Sequence, residues 1–176
     1  RSMTIFQQMV DRRSLGNDAG APDEFTYEIL LLSLGRRFSA TKSALDLIVT
    51  DMMKSSRYSP RSLMAAFELC RSGSDRKLAS RILDKVVNDK DKVFRLPNRV
   101  YSTYLRLLIS DGSLEESLDV LRTCLKENHR AKDKFVDEVF KTALTWPRNN
   151  PSTGSRFLQA VFEIMKQDSL YRPGIG

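Results

Sequence analysis

Proline and glycine interrupt this chain at a nearly constant interval, and that interval limits what it can fold into. Pro22, Pro60 and Pro97 lie 38 and 37 residues apart, and Pro173 follows 76 residues after Pro97. A second series runs between them: Gly35, Gly73, Gly112 and Gly154, spaced 38, 39 and 42 residues. Two residue types keeping one period point to an internal repeat. Between the breaks, apolar residues recur at helical spacing. Ala44, Leu45, Ile48, Val49 and Met52 make one such stripe, and Leu78, Ile82, Leu83 and Val86 another. Each period therefore reads as two helices, the first ending at its glycine, where the left-handed backbone suits glycine best. Thr41 or Ser43 is the expected cap of the helix that follows Gly35.

The first helices carry Phe25, Tyr27, Ile29, Leu30, Leu31 and Leu34, then Leu63, Ala66, Phe67 and Cys70, then Val100, Tyr101, Tyr104, Leu105 and Leu108. A fourth pair follows, with Phe135, Val139, Phe140, Ala143 and Leu144 before an irregular stretch, Trp146 to Gly154. Its second helix holds Phe157, Val161, Phe162, Ile164 and Met165. Met3, Ile5, Phe6 and Met9 read as the second helix of a pair whose first half is absent, so a longer array is expected. No segment alternates as a strand does. The expected fold is all-α: a right-handed α-solenoid of stacked helix-turn-helix repeats. It forms one domain over 1–176, with a truncated repeat at 1–21 and helix pairs at 22–60, 61–97, 98–132 and 133–176.

Composition narrows the chemistry. The single histidine, His129, sits in a hydrophilic run, and Cys70 and Cys124 fall separately inside apolar stripes. Two reduced core thiols are expected, with no metal-ligand cluster and no nucleophile–base pair. The glycines are scattered singly, so no phosphate-cradling loop appears. A non-enzymatic chain without cofactor, metal or small-molecule substrate is expected. The longest wholly aliphatic run, Ile29 to Leu32, is too short to span a membrane. Lysine and arginine number 29 against 22 acidic residues, a net charge of +7, which favours nucleic acid or an acidic protein face as partner. Lys77, Arg81 and Lys85 share one helical face where phosphates can be met.

The stretch Val100 to Leu121 reads Val-Tyr-Ser-Thr-Tyr-Leu-Arg-Leu-Leu-Ile-Ser-Asp-Gly-Ser-Leu-Glu-Glu-Ser-Leu-Asp-Val-Leu. It resembles the pentatricopeptide repeat, in which Val-Thr-Tyr-Asn-Thr-Leu-Ile is followed by a glycine turn and Leu-Glu-Glu-Ala-Leu. Pro22-Asp23-Glu24-Phe25-Thr26-Tyr27 is similar to that family's repeat junction, and Ile5-Phe6-Gln7-Gln8-Met9 to its second helix. The tetratricopeptide repeat fits less well, because Leu30-Leu31-Leu32 and Leu105-Arg106-Leu107 stand where it needs a small residue.

The resemblance implies a binder of single-stranded RNA, one base per repeat, acting in mitochondria or alternatively plastids on organellar transcripts or ribosomal RNA. Protein subunits of a larger ribonucleoprotein are further expected partners. It places base-reading side chains at Glu28, Met64 and Ser102, and end-of-repeat partners at Arg61, Asn98 and Lys132. Phe25 is the expected stacking residue of the first full unit and Val100 of the third. Only Ser102 and Asn98 match the family's usual hydrogen-bonding types, and Glu28 is positioned to pair with Arg61 if the two come close. A second expectation follows: a helical-repeat scaffold in an assembly such as a mitochondrial ribosome, holding RNA backbone or protein without base readout.

Overall fold

Side-chain caps mark where helices begin. The computed structural model describes residues 2–16, 20–36, 42–91, 94–127, 139, 141 and 151–167. It is all-helical there, with no strand among the described residues. The helices are α1 (Ser2–Ser14), α2 (Glu24–Arg36), α3 (Lys42–Ser55), α4 (Pro60–Ser72), α5 (Arg76–Val87), α6 (Asn98–Ser110), α7 (Leu114–Glu127) and α8 (Pro151–Gln167). Before α2, the Asp23 carboxylate accepts from the Thr26 amide at 2.8 Å and its hydroxyl at 2.6 Å. Before α4, Ser59 and Ser62 cap each other's amides reciprocally, and Pro60 sits where no amide is needed. Before α5, Asp75 accepts from the Leu78 amide. Ser43 is the second residue of α3, inside the helix rather than ahead of it; Thr41 lies outside the described residues.

Counted from Asp23, Ser59 and Pro97, the buried stripes coincide. Tyr27, Leu63 and Tyr101 come fourth, Leu31, Phe67 and Leu105 eighth, and all six are at most 1% exposed. This is a repeat-like helical architecture written in three first helices. The contacts fall into two units, residues 1–94 and 95–176. Within the first, α2 packs on α3 and α4, α4 on α5, and α3 on α5; within the second, α7 packs on both α6 and α8. A polar cluster locks α1 onto the first unit. The Tyr27 hydroxyl donates to Asp51 Oδ2 at 2.7 Å and accepts from Arg13 Nη1 at 3.2 Å, while Arg13 also pairs with Asp51. The Phe6 ring meets Tyr27 edge-on, 6.1 Å between centroids.

Four sequence expectations change here. Gly112 does take the left-handed conformation, at φ 76°. Gly35 does not: it is the penultimate residue of α2, and a Cβ there would lie 3.7 Å from Leu69 of α4. Gly73 caps α4 at φ −91°, and Ser74 turns left-handed in its place at φ 52°. Gly154 is no break at all. It is a buried residue of α8, which Pro151 opens as its first residue. Finally, Ile5, Ile29 and Phe162, counted in the apolar stripes, are between 54% and 66% exposed. Each lies on a helix that buries only one stripe, and each points away from it. Val139, expected in the fourth pair, is buried; Phe135, Phe140, Ala143, Leu144 and Trp146 lie outside the described residues.

Candidate nucleic-acid interface

Since Tyr27, Leu30 and Leu31 point α2 inward, the opposite side of the helix is left to solvent. Phe25, Ile29 and Leu32 occupy it, 64%, 66% and 48% exposed. Glu28 lies at the flank of this stripe, and from α4 Arg61 reaches toward it: Arg61 Nη1 and Glu28 Oε1 are 3.9 Å apart. The pair is asymmetric, with the Arg61 side chain 83% exposed and Glu28 mostly covered. A contact this long and this wet contributes little to stability. Met64, half-buried, is one turn further along α4. Of these four residues the structure brings Glu28 and Arg61 near each other, across the packed α2–α4 pair; Phe25 lies on α2 and Met64 on α4.

Asn98 and Ser102 belong to the second unit. Asn98 opens α6, and Cys124 Sγ of α7 lies 4.0 Å from its Oδ1. Ser102 sits at the same helical position as Glu28 and Met64, five residues after the start signal, but it is 2% exposed and donates to the Arg99 carbonyl at 3.1 Å. Its hydroxyl is spent inside its own helix. Val100 is fully buried and offers no stacking surface, which corrects that expectation. Lys132 and His129 lie outside the described residues.

On α5, Lys77, Arg81 and Lys85 are exposed on one face, as expected. Arg81 is tied back to α3, 2.9 Å from Asp46 Oδ1 and 3.4 Å from Thr50 Oγ1. Neither Lys77 nor Lys85 forms an ion pair with a described residue. Arg81 and Lys85 line a groove of about 350 Å³ with Lys54 of α3.

Titratable groups elsewhere serve the fold. Burial pushes the Cys70 thiol up to about 12, and Asp75 nearby adds to the shift, so the sulfur stays protonated. Cys124 is likewise buried, and neither cysteine is in a disulfide. Burial also raises the Tyr27 phenol, keeping it a hydrogen-bond donor to Asp51. Among the described residues no cluster of three or more metal-ligating side chains occurs, and no helix is long and apolar enough to cross a membrane.

Sequence reasoning missed that Ile29 and Leu32 extend the exposed face from Phe25. Their four- and three-residue spacing is a signal, but Leu30 and Leu31 between them mask which apolar residues face inward. No known family model matches the chain, and comparison with curated proteins and with solved structures finds no match.

Proposed function

We propose that this chain is a non-catalytic helical-repeat module of the pentatricopeptide type, a right-handed solenoid segment that binds single-stranded RNA in an organelle, the mitochondrion or alternatively the plastid. The observation that carries the reading is the exposed Phe25 ring on α2 with the exposed Arg61 guanidinium on the adjoining α4. An exposed aromatic ring to stack a base and an exposed cation to meet a phosphate are the parts of a single-strand site that does not read sequence. Base readout is not part of the proposal for these units. Glu28 is engaged by Arg61, Met64 offers no hydrogen bond at a base edge, and the Ser102 hydroxyl is satisfied within α6.

Fluorescence anisotropy with labelled oligo(U), at low salt, tests it. Phe25→Ala should weaken binding about 5- to 150-fold, the range of one base–aromatic stack. Glu28→Gln, which removes the opposing carboxylate, should tighten it. No binding of wild type at low salt would sink the RNA reading. A scaffold role, holding a protein neighbour in a large organellar assembly, is the second reading, and the exposed aliphatic side chains of Ile29 and Leu32 favour it.

A further inference from the structure

A groove lies on each side of α3, and the two share Thr50 and Lys54. The groove toward α1 carries Asp46 and Asp51 in its lining. The groove toward α5 has no carboxylate among its described lining residues, and its cations are Lys54, Arg81 and Lys85. Arg81 and Lys85 are four residues apart and so share one face of α5, while Lys54 comes from α3. All three are exposed. Neither Lys54 nor Lys85 forms an ion pair with a described residue, and Arg81 meets the half-exposed Asp46 at 2.9 Å. The rest of the lining is largely aliphatic. Val49 and Ile82 are at most 1% exposed and form its base, and Met53 is half-buried.

We propose that the groove between α3 and α5 docks an acidic segment of a protein partner, its carboxylates on Lys54, Arg81 and Lys85 and an aliphatic side chain over Met53. The lining selects that occupant. Three cations without a carboxylate call for negative charge. No aromatic ring lines the groove, so the bases of a single strand have nothing to stack on. A free phosphate would leave the aliphatic lining unused, whereas a methionine adapts to an incoming apolar side chain. The volume of about 350 Å³ is near the lower end of the roughly 300–1,000 Å³ of ligand sites, so a few side chains enter rather than a whole helix. The last turns of α3 and α5 each favour a cation. That preference accounts for Lys54 and Lys85 singly, not for their sharing one groove with Arg81. The docking does not rest on the RNA reading, whose residues Phe25 and Arg61 belong to α2 and α4.

Fluorescence anisotropy with a short labelled peptide of alternating glutamate and leucine should show saturable binding at protein concentrations up to about 1 mM. Lys54→Glu and Lys85→Glu should each weaken it at least about tenfold, since like charges then face the peptide. Both variants should keep the helical circular dichroism spectrum. Asp46→Asn, which releases Arg81, should tighten binding by up to about fivefold, the worth of one exposed ion pair. Exchanging the peptide's leucines for serine should weaken it at least about tenfold, because the aliphatic lining then stays wet. Absence of binding by the wild type, or binding indifferent to both lysine changes, overturns the proposal. So does binding that ignores the loss of leucine, which would make the groove a plain polyanion patch. Oligo(U) binding that is lost in Lys85→Glu, in a chain that does not take the peptide, would assign these cations to RNA instead. Phe25→Ala, which tests the RNA reading, should leave peptide binding unchanged, so the two readings fail separately.

Discussion

At the scale of single residues, the side chains that fix the first unit are polar. Tyr27 is fully buried, yet its hydroxyl joins three helices: it donates to Asp51 of α3, accepts from Arg13 of α1, and lies 3.1 Å from Ser55 Oγ. Tyr27→Phe keeps the ring against Phe6 and removes only the hydroxyl. It leaves a partly buried carboxylate and guanidinium one partner short, at an expected cost of about 1–3 kcal/mol in urea unfolding. The sequence marked Tyr27 through its place in a repeat motif, but not the cluster. Asp51 and Arg13 are 38 residues apart in the chain, and nothing local shows that α1 and α3 meet there. The candidate site shows the same division. Glu28, Met64 and Ser102 share one helical position because each follows its start signal by five residues, which is legible. Whether each is free is decided by Arg61 across a helix pair, by the absence of a polar atom, and by the Arg99 carbonyl.

At the scale of elements, helix starts follow their caps more closely than they follow the prolines. Pro22 precedes the cap Asp23, Pro60 follows the cap Ser59, and Pro97 stands at the cap position itself. The proline period therefore falls within one residue of three helix caps. Asp75 is the most consequential cap. Burial opposes its charge, but the Lys42 ammonium at 3.0 Å and the Leu78 amide outweigh it and hold the carboxyl below its ordinary value. The sign follows from linkage: a depressed folded pKa contributes stability that is present above about pH 3.9, the unfolded value, and is lost as pH falls through the folded one. Asp75→Asn keeps a capping oxygen but should flatten this acid-side loss in pH-dependent thermal melts. Asp75→Ala should additionally lose about 0.5–2 kcal/mol of capping at every pH.

Glycines at matching beats are not equivalent elements either. Gly112, at φ 76°, needs a conformation that a side chain strains, so Gly112→Ala should destabilise by about 1 kcal/mol. Gly35 is helical, and a methyl group there would only reach ordinary contact with Leu69. Gly35→Ala should therefore be neutral or stabilising by up to about 1 kcal/mol. Equal losses in chemical unfolding would mean that Gly35 is the left-handed stop its spacing suggested.

At the scale of the whole molecule, a net charge of +7 draws polyanions but does not say which face receives them. Two faces of the first unit compete: the α2–α4 pair with Phe25 and Arg61, and the exposed side of α5 with Lys77 and Lys85. Arg81 adds little to the second, since Asp46 already neutralises it. Salt dependence separates the two, because each phosphate neutralised on a single strand contributes about 0.7 to the slope of log K against log salt. If RNA lies along α2–α4, Arg61→Ala should reduce that slope by about 0.7, and the double change Lys77→Ala with Lys85→Ala should leave it in place. The reverse result, a slope that falls by about 1.4 in the double variant and is untouched by Arg61→Ala, would move the RNA to α5. Phe25 would then have no base to stack on.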